Sequence, residues 1–167
     1  VTGALTDYAD AACGAALRAG LAAQIKRGKL PGMTMDDLAD CAGMVVFAMG
    51  KMGARELNYS SDIDLICVFD ESRFAPDDFH AARSAFVKAT RAMSGTLNDI
   101  TAQGYVFRTD LRLRPDPAVT PVCIAMEAAE RYYESLGRTW ERAAYIKARP
   151  AVGDIAAGEA FLQSLRP

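Results

Sequence analysis

The sequence predicts an α+β fold, a small mixed sheet flanked by helices, and three observations carry that expectation. Two short apolar runs, Met44 to Met49 and Asp62 to Phe69, have strand length and β-branched content. A third segment, Tyr105 to Arg114, alternates polar and apolar residues. The stretches before, between and after these runs have helical spacing, so the order is helix, strand, strand, helix, strand, then helices.

In chain order, Leu5 to Lys26 is alanine-rich and reads as a helix with Gly28 as its stop. Pro31-Gly32 is a turn. Thr34 caps a short helix to Cys41, with Asp36 and Asp37 in its first turn. The strand Met44–Met49 ends at Gly50-Lys51-Met52-Gly53, and a helical turn is expected over Ala54 to Leu57. After the second strand, residues 70–78 are rich in Asp, Glu, Ser and Pro and read as a loop. From Asp78 to about Ile100 the apolar positions Phe79, Ala82, Phe86, Met93, Leu97 and Ile100 mark one helix face. On the third strand Val106, Arg108, Asp110, Arg112 and Arg114 share a face, and Pro115 and Pro117 end it. Two helices are expected over 126–136 and 138–148, split near Gly137, with Pro150 stopping the second. Asp154 caps a last helix to about Leu165.

The chain has 167 residues, about half of them hydrophobic, enough for one core domain. We expect leading helices over 1–42, a catalytic sheet region over 43–115 and trailing helices over 122–167. The chain opens on Val and stops soon after a helix begins, which suggests a piece of a longer protein. The net charge of −2 speaks against a general nucleic-acid binder. The longest apolar run, 42–49, is far shorter than the roughly 20 residues of a membrane span. There is no signal-peptide pattern. Cys13, Cys41, Cys67 and Cys123 are widely spaced, with one His in the chain, so a zinc site is not expected and free thiols of a cytoplasmic protein are.

The chemistry-bearing constellation centres on Asp62 and Asp64, two apart on a strand and so pointing the same way. Two adjacent carboxylates repel unless a cation lies between them, and hard oxygen donors suit Mg²⁺ or Mn²⁺. Asp110 on the third strand would add a third carboxylate, enough for a two-metal phosphoryl-transfer site. Arg108, Arg112 and Arg114 would then face phosphate oxygens. Gly50 lets backbone approach a phosphate, and Lys51 and Ser61 are further candidate contacts. Each feature has a plainer reading: the arginines form a solvated sheet face on which Asp110 is simply their ion-pair partner, and Gly50-Lys51 lacks Walker A spacing.

Together, a buried strand, Gly-Lys, Asp-x-Asp on a second strand, a helix and an acid on a third strand resemble the layout of the nucleotidyltransferase (polymerase beta-like) fold. The segment Gly50-Lys51-Met52-Gly53-Ala54-Arg55-Glu56-Leu57-Asn58-Tyr59-Ser60-Ser61-Asp62-Ile63-Asp64 resembles the signature of the bifunctional glutamine synthetase adenylyltransferase/adenylyl-removing enzymes. Phe107 to Pro115 and the segment from Arg131 through Trp140 and Glu141 to Pro150 agree with it. Two departures are Ala54, where many relatives have Gly, and the loop after Pro115, where a Gly-containing stretch is usual. The resemblance covers roughly residues 43–154. It implies Mg²⁺ (or Mn²⁺) held by Asp62, Asp64 and Asp110, and nucleotide substrates (ADP and phosphate, or ATP). It also implies glutamine synthetase as target and a PII signal protein as partner of the full-length enzyme. The wording Leu57-Asn58-Tyr59-Ser60-Ser61-Asp62 and Gly137-Arg138-Thr139-Trp140-Glu141-Arg142 resembles the half that removes AMP from a tyrosine by phosphorolysis. The alternatives are the ATP-dependent adenylylating half and a docking module that keeps the fold without catalysis. Trp140, Glu141 and Lys147 are expected to be structural.

Overall fold

A computed structural model describes residues 2–99, 104, 106–135 and 139–166, the side chains of residues 2, 139 and 140 excepted. The sheet follows from the apolar runs. Strand β1, Met44–Met49, is buried at every position, as a strand covered on both faces must be. It pairs antiparallel with β2, Ile63–Phe69, from Met44 opposite Phe69 to Met49 opposite Asp64. On its other edge β1 pairs antiparallel with β5, Arg149–Gly153. The free edge of β2 takes two short parallel partners in turn: β3, Thr109–Asp110, beside Ile63 and Asp64, and β4, Cys123–Ala125, beside Cys67 to Phe69. The result is a mixed five-stranded sheet in an α+β domain of nucleotidyltransferase-like type.

Side-chain alternation sorts the core into two layers. Met44, Val46, Ala48, Ile63, Leu65, Cys67 and Phe69 lie under α1 (Thr2–Lys26) and α3 (Phe79–Asn98). Close approach of these two helices depends on small residues: a Cβ at Gly20 would lie 3.0 Å from the carbonyl oxygen of Ala89. Val45, Phe47, Met49, Ile66 and Val68 face the opposite layer, formed with α4 (Met126–Ser135) and α6 (Ile155–Leu165). Asp154 caps α6 as expected, accepting the Ala157 N–H at 3.1 Å.

Several expectations need correction. The helical turn after β1, α2, spans Gly50–Gly53 and so begins on the glycine itself, not at Ala54. The segment after Thr34 is a 3-10 stretch, Met35–Gly43, broken where Cys41 and Ala42 take φ of 54° and 56°. The 70–78 loop contains two 3-10 turns, Glu71–Arg73 and Pro76–Asp78. Among the described residues the third strand keeps only Thr109–Asp110, because the chain turns at once: the Asp110 carboxylate accepts the Arg112 backbone N–H at 2.9 Å. Hence Arg112 and Arg114 do not continue a strand face. The helix expected over 138–148 is a short α5, Thr139–Ala143, followed by a 3-10 turn, Ala144–Lys147. Pro150 does not merely stop it but sits within β5, on the sheet edge, where a missing N–H is tolerated. The expected features at Ile100, Tyr105, Leu136 and Gly137 fall outside the described residues. Among the described residues no helix is long and apolar enough to cross a membrane.

Candidate active site

The layer under α4 and α6 changes character at one end of β2. Asp64 has the alternation of Ile66 and Val68 and is the register partner of Met49, so its carboxylate emerges on that face where the apolar cover stops. Asp110 is the register partner of Asp64 on parallel β3. The neighbouring Thr109 turns its side chain to α3, its hydroxyl accepting from Asn98 Nδ2 at 2.8 Å, which leaves Asp110 on the Asp64 face. Asp62 stands two residues before Asp64, exposed at the mouth of the strand. The backbone thus sets Asp64 and Asp110 side by side on adjacent strands, with Asp62 just ahead of β2.

Gly50 completes this corner. It has φ of +54°, a region that disfavours a side chain, and a Cβ there would sit 3.2 Å from Asp64 Oδ2. The glycine therefore lets main chain lie directly against the central carboxylate. Lys51, next in the turn, is exposed.

Electrostatics separates the acids. Burial pushes the Asp64 carboxyl above its ordinary range; the charges of Asp110 and Asp62 push the same way and Arg112 opposes them. Asp110 is held below its ordinary range, chiefly by Arg112, whose Nε and Nη2 donate to it at 3.0 and 2.7 Å. Asp62 forms an ion pair with Arg108 at 2.9 Å. The plainer reading, an ion pair with Asp110, thus describes Arg112 as it stands, whereas Arg108 pairs with Asp62.

Two other candidates are engaged elsewhere. Arg114 wraps its own loop, its guanidinium donating to the carbonyl oxygens of Leu111, Pro117 and Thr120 at 2.7 to 3.1 Å. It buttresses the 115–120 loop and does not stand beside Arg112. Ser61 donates to Asn58 Oδ1 at 2.8 Å, an oxygen that also receives the N–H and hydroxyl of Ser60. Asn58, which sequence reasoning passed over, is the hub of the turn leading into Asp62; an Asn followed by two serines is the signal that marks it. Arg108 ties the turn to the acids by donating to the Ser60 carbonyl at 3.3 Å.

The donor set suits a hard divalent cation in kind: carboxylate oxygens crowded enough to raise Asp64, on neighbouring strand ends. In detail Asp62 and Asp110 are turned onto arginines. Among the described residues no group of three or more His, Cys, Asp or Glu side chains stands close enough together to hold an ion. Holding one requires these two carboxylates to exchange an arginine for the ion; Asp62 is half exposed, whereas Asp110 is four-fifths buried and also accepts the Arg112 backbone N–H.

Comparison with known proteins gives the family. The family described as glutamate-ammonia ligase adenylyltransferase matches residues 1–164. The chain is 53% identical over 167 residues to the bifunctional glutamine synthetase adenylyltransferase/adenylyl-removing enzyme of Xanthobacter autotrophicus, covering all of this chain and 17% of that protein. It is 54% identical over 172 residues to the protein so named in Bradyrhizobium sp. (strain BTAi1), again 17% of its length. With the Agrobacterium fabrum protein of that name the identity is 50% over 163 residues, 16% of its length. The chain therefore spans about a sixth of the length of these relatives.

Proposed function

The chain belongs to the glutamate-ammonia ligase adenylyltransferase family, and from that premise we propose that it carries a metal-dependent nucleotidyl-transfer site. Its reaction is the removal of AMP from an adenylylated tyrosine of glutamine synthetase by phosphorolysis. The observation that supports this most is the pairing of Asp64 with Asp110 on parallel strands, beside a glycine that leaves room for a phosphate against main chain. The removing half is favoured over the adenylylating half by the wording Leu57-Asn58-Tyr59-Ser60-Ser61-Asp62.

In the proposed reaction an oxygen of orthophosphate attacks the phosphorus of the AMP–tyrosine ester, opposite the tyrosyl oxygen. The new P–O bond makes ADP; the old one breaks and the tyrosyl oxygen leaves with the proton given up by the attacking hydrogen phosphate. Phosphate already carries negative charge, so no strong general base is needed. A divalent ion bound by Asp62, Asp64 and Asp110 would offset charge on the phosphoryl oxygens. Asp110 orients the tyrosyl oxygen. Arg112, its side chain 82% exposed, needs only to leave Asp110 to reach the incoming phosphate. Arg108 stands in the same relation to Asp62. Gly50 and Lys51 line the approach.

The test compares two products from the protein that carries this chain. ADP release from adenylylated glutamine synthetase plus phosphate, lost in Asp62→Asn, supports the proposal. Pyrophosphate release from ATP without phosphorolysis would assign the adenylylating reaction instead. Mn²⁺ binding that is unchanged by Asp62→Asn would remove the carboxylates from the site.

A further inference from the structure

We propose that Arg149, anchored by Asp10, is a positioning residue that fixes the Gly50–Gly53 turn against Asp64. The proposal rests on the reading of Gly50 and Asp64 as part of the phosphate-transfer site. Arg149 opens β5 and pairs with Ala48 at the end of β1 where the turn begins. Its guanidinium holds Asp10 of α1 bidentately, Nη1 to Oδ2 at 2.7 Å and Nη2 to Oδ1 at 3.1 Å, and the same Nη2 donates to the Met52 carbonyl at 3.1 Å. One side chain thus joins a long helix, a sheet edge and the turn that carries Gly50. The other side of the turn is fixed by main chain: a Cβ at Gly53 would collide with the carbonyl oxygens of Lys147 and Ala48. With Met52 O tied to Arg149 and Gly53 seated on Lys147, Gly50 has little freedom to move relative to Asp64.

The chemistry of the clamp is informative. Both side chains are four-fifths buried, and among the described residues buried Arg149 Nε has no partner. A buried ion pair with an unmet donor is a weak way to gain stability. What it supplies is a defined geometry: a planar fork can span a carboxylate and a carbonyl at once, which an ammonium cannot. Folding alone does not need that fork; a site that must keep main chain in place against a carboxylate to within about an ångström does. The nearby Arg55–Asp7 pair also links α1 to this region, but both its side chains are at least half exposed, and it is the Arg55 backbone N–H that reaches Met52 O, at 3.2 Å.

The test uses the protein that carries this chain, with inorganic phosphate and Mn²⁺ as probes. Arg149→Lys and Asp10→Asn should each raise KM for phosphate about tenfold and weaken Mn²⁺ binding, with kcat within about twofold. The double variant should be no worse than either single one, because both break the same clamp. Asp7→Asn, which breaks only the exposed pair, should change neither quantity. Asp10→Asn preserves volume, so it carries the test should Arg149→Lys fail to fold. An unchanged KM in the clamp variants, or a fall in thermal stability and kcat with KM constant, overturns the proposal. Gly50→Ala separates the two levels. If it raises KM where the clamp variants do not, the clamp alone is wrong. If it too leaves KM unchanged, the reading of the site falls with it.

Discussion

The two ends of β2 make an instructive pair. Each has a short parallel neighbour on the same edge, yet one end is core and the other is the candidate site. At the far end Cys67, Val68 and Phe69 lie beside Cys123, Ile124 and Ala125, all buried. The two cysteine thiols there are pushed up by burial, Cys67 to about 12, so they remain neutral and behave as small apolar groups. At the near end Ile63 and Asp64 lie beside Thr109 and Asp110, and the layer under α4 and α6 gives way to charge. The same backbone arrangement is thus used once for burial and once to bring acids together. What differs is whether an apolar layer covers the strand, and the near end is left open by the turns at Gly50 and Arg112.

The largest effect belongs to the covered end. Phe69 is fully buried, stacked on Phe86 at 4.9 Å and packed on Phe79. Phe69→Ala should cost about 3–5 kcal/mol, seen as a lower denaturant midpoint, with activity lost only as the fold is lost. At the open end the pattern should invert. Asp64→Asn should reduce nucleotidyl transfer by a factor on the order of 10²–10³, yet stabilise the metal-free protein. The sign follows from its raised carboxyl: between the ordinary value near 3.8 and the higher folded value the native state holds more protons than the unfolded one. Stability therefore falls as pH rises through that window, and the asparagine removes the loss. A melting temperature at neutral pH that drops in Asp64→Asn would break the contrast between the two ends.

This contrast also explains which parts could be read from sequence. β1 and β2 were legible because burial on both faces makes Met44–Met49 and Ile63–Phe69 short continuous apolar runs, and α3 because burial of one face imposes a helical period from Phe79 to Leu97. The pairing of Asp64 with Asp110 was legible in outline, since both acids interrupt strand-like runs. The course of the chain after Asp110 was not. Alternation from Val106 to Arg114 imitates a strand, but Asp110 bonds the Arg112 N–H and Arg114 bonds three carbonyl oxygens of its loop, local contacts that outcompete a ladder. β4 and β5 were missed for another reason. Three residues at Cys123–Ala125 carry too little pattern, and Pro150 reads as a breaker until the edge position that tolerates it is known.

A third substitution asks how far the open end depends on its arginines. Arg112→Met should raise KM for phosphate about tenfold by removing a charge-assisted contact. It should also release the Asp110 carboxyl towards its ordinary value. Because Arg112 holds that carboxyl down, Asp110 contributes stability above the ordinary value near 3.8 and loses it as pH falls through the folded value. In Arg112→Met that contribution should be lost at neutral pH, while the variant and the parent converge as pH falls below the folded value. A variant as stable as the parent at neutral pH would show that the ion pair at 2.7 Å has no energetic hold on Asp110.

The smallest effect tests whether the open end is ordered by its own turn. Asn58 Oδ1 gathers three donors from Ser60 and Ser61, and the Ser61 N–H donates to the Asn58 carbonyl at 3.1 Å. All of these groups can reach water, so Asn58→Ala should cost only about 1 kcal/mol. Its consequence for the site should be larger than that figure suggests, because the turn delivers Asp62 and is itself held by Arg108 through the Ser60 carbonyl. Loosening it frees both members of the Asp62–Arg108 pair, so metal affinity should fall more than melting temperature does. Equal and small changes in both would mean that β2 alone places Asp62. The order at the open end would then come from the sheet, as it does at the covered one.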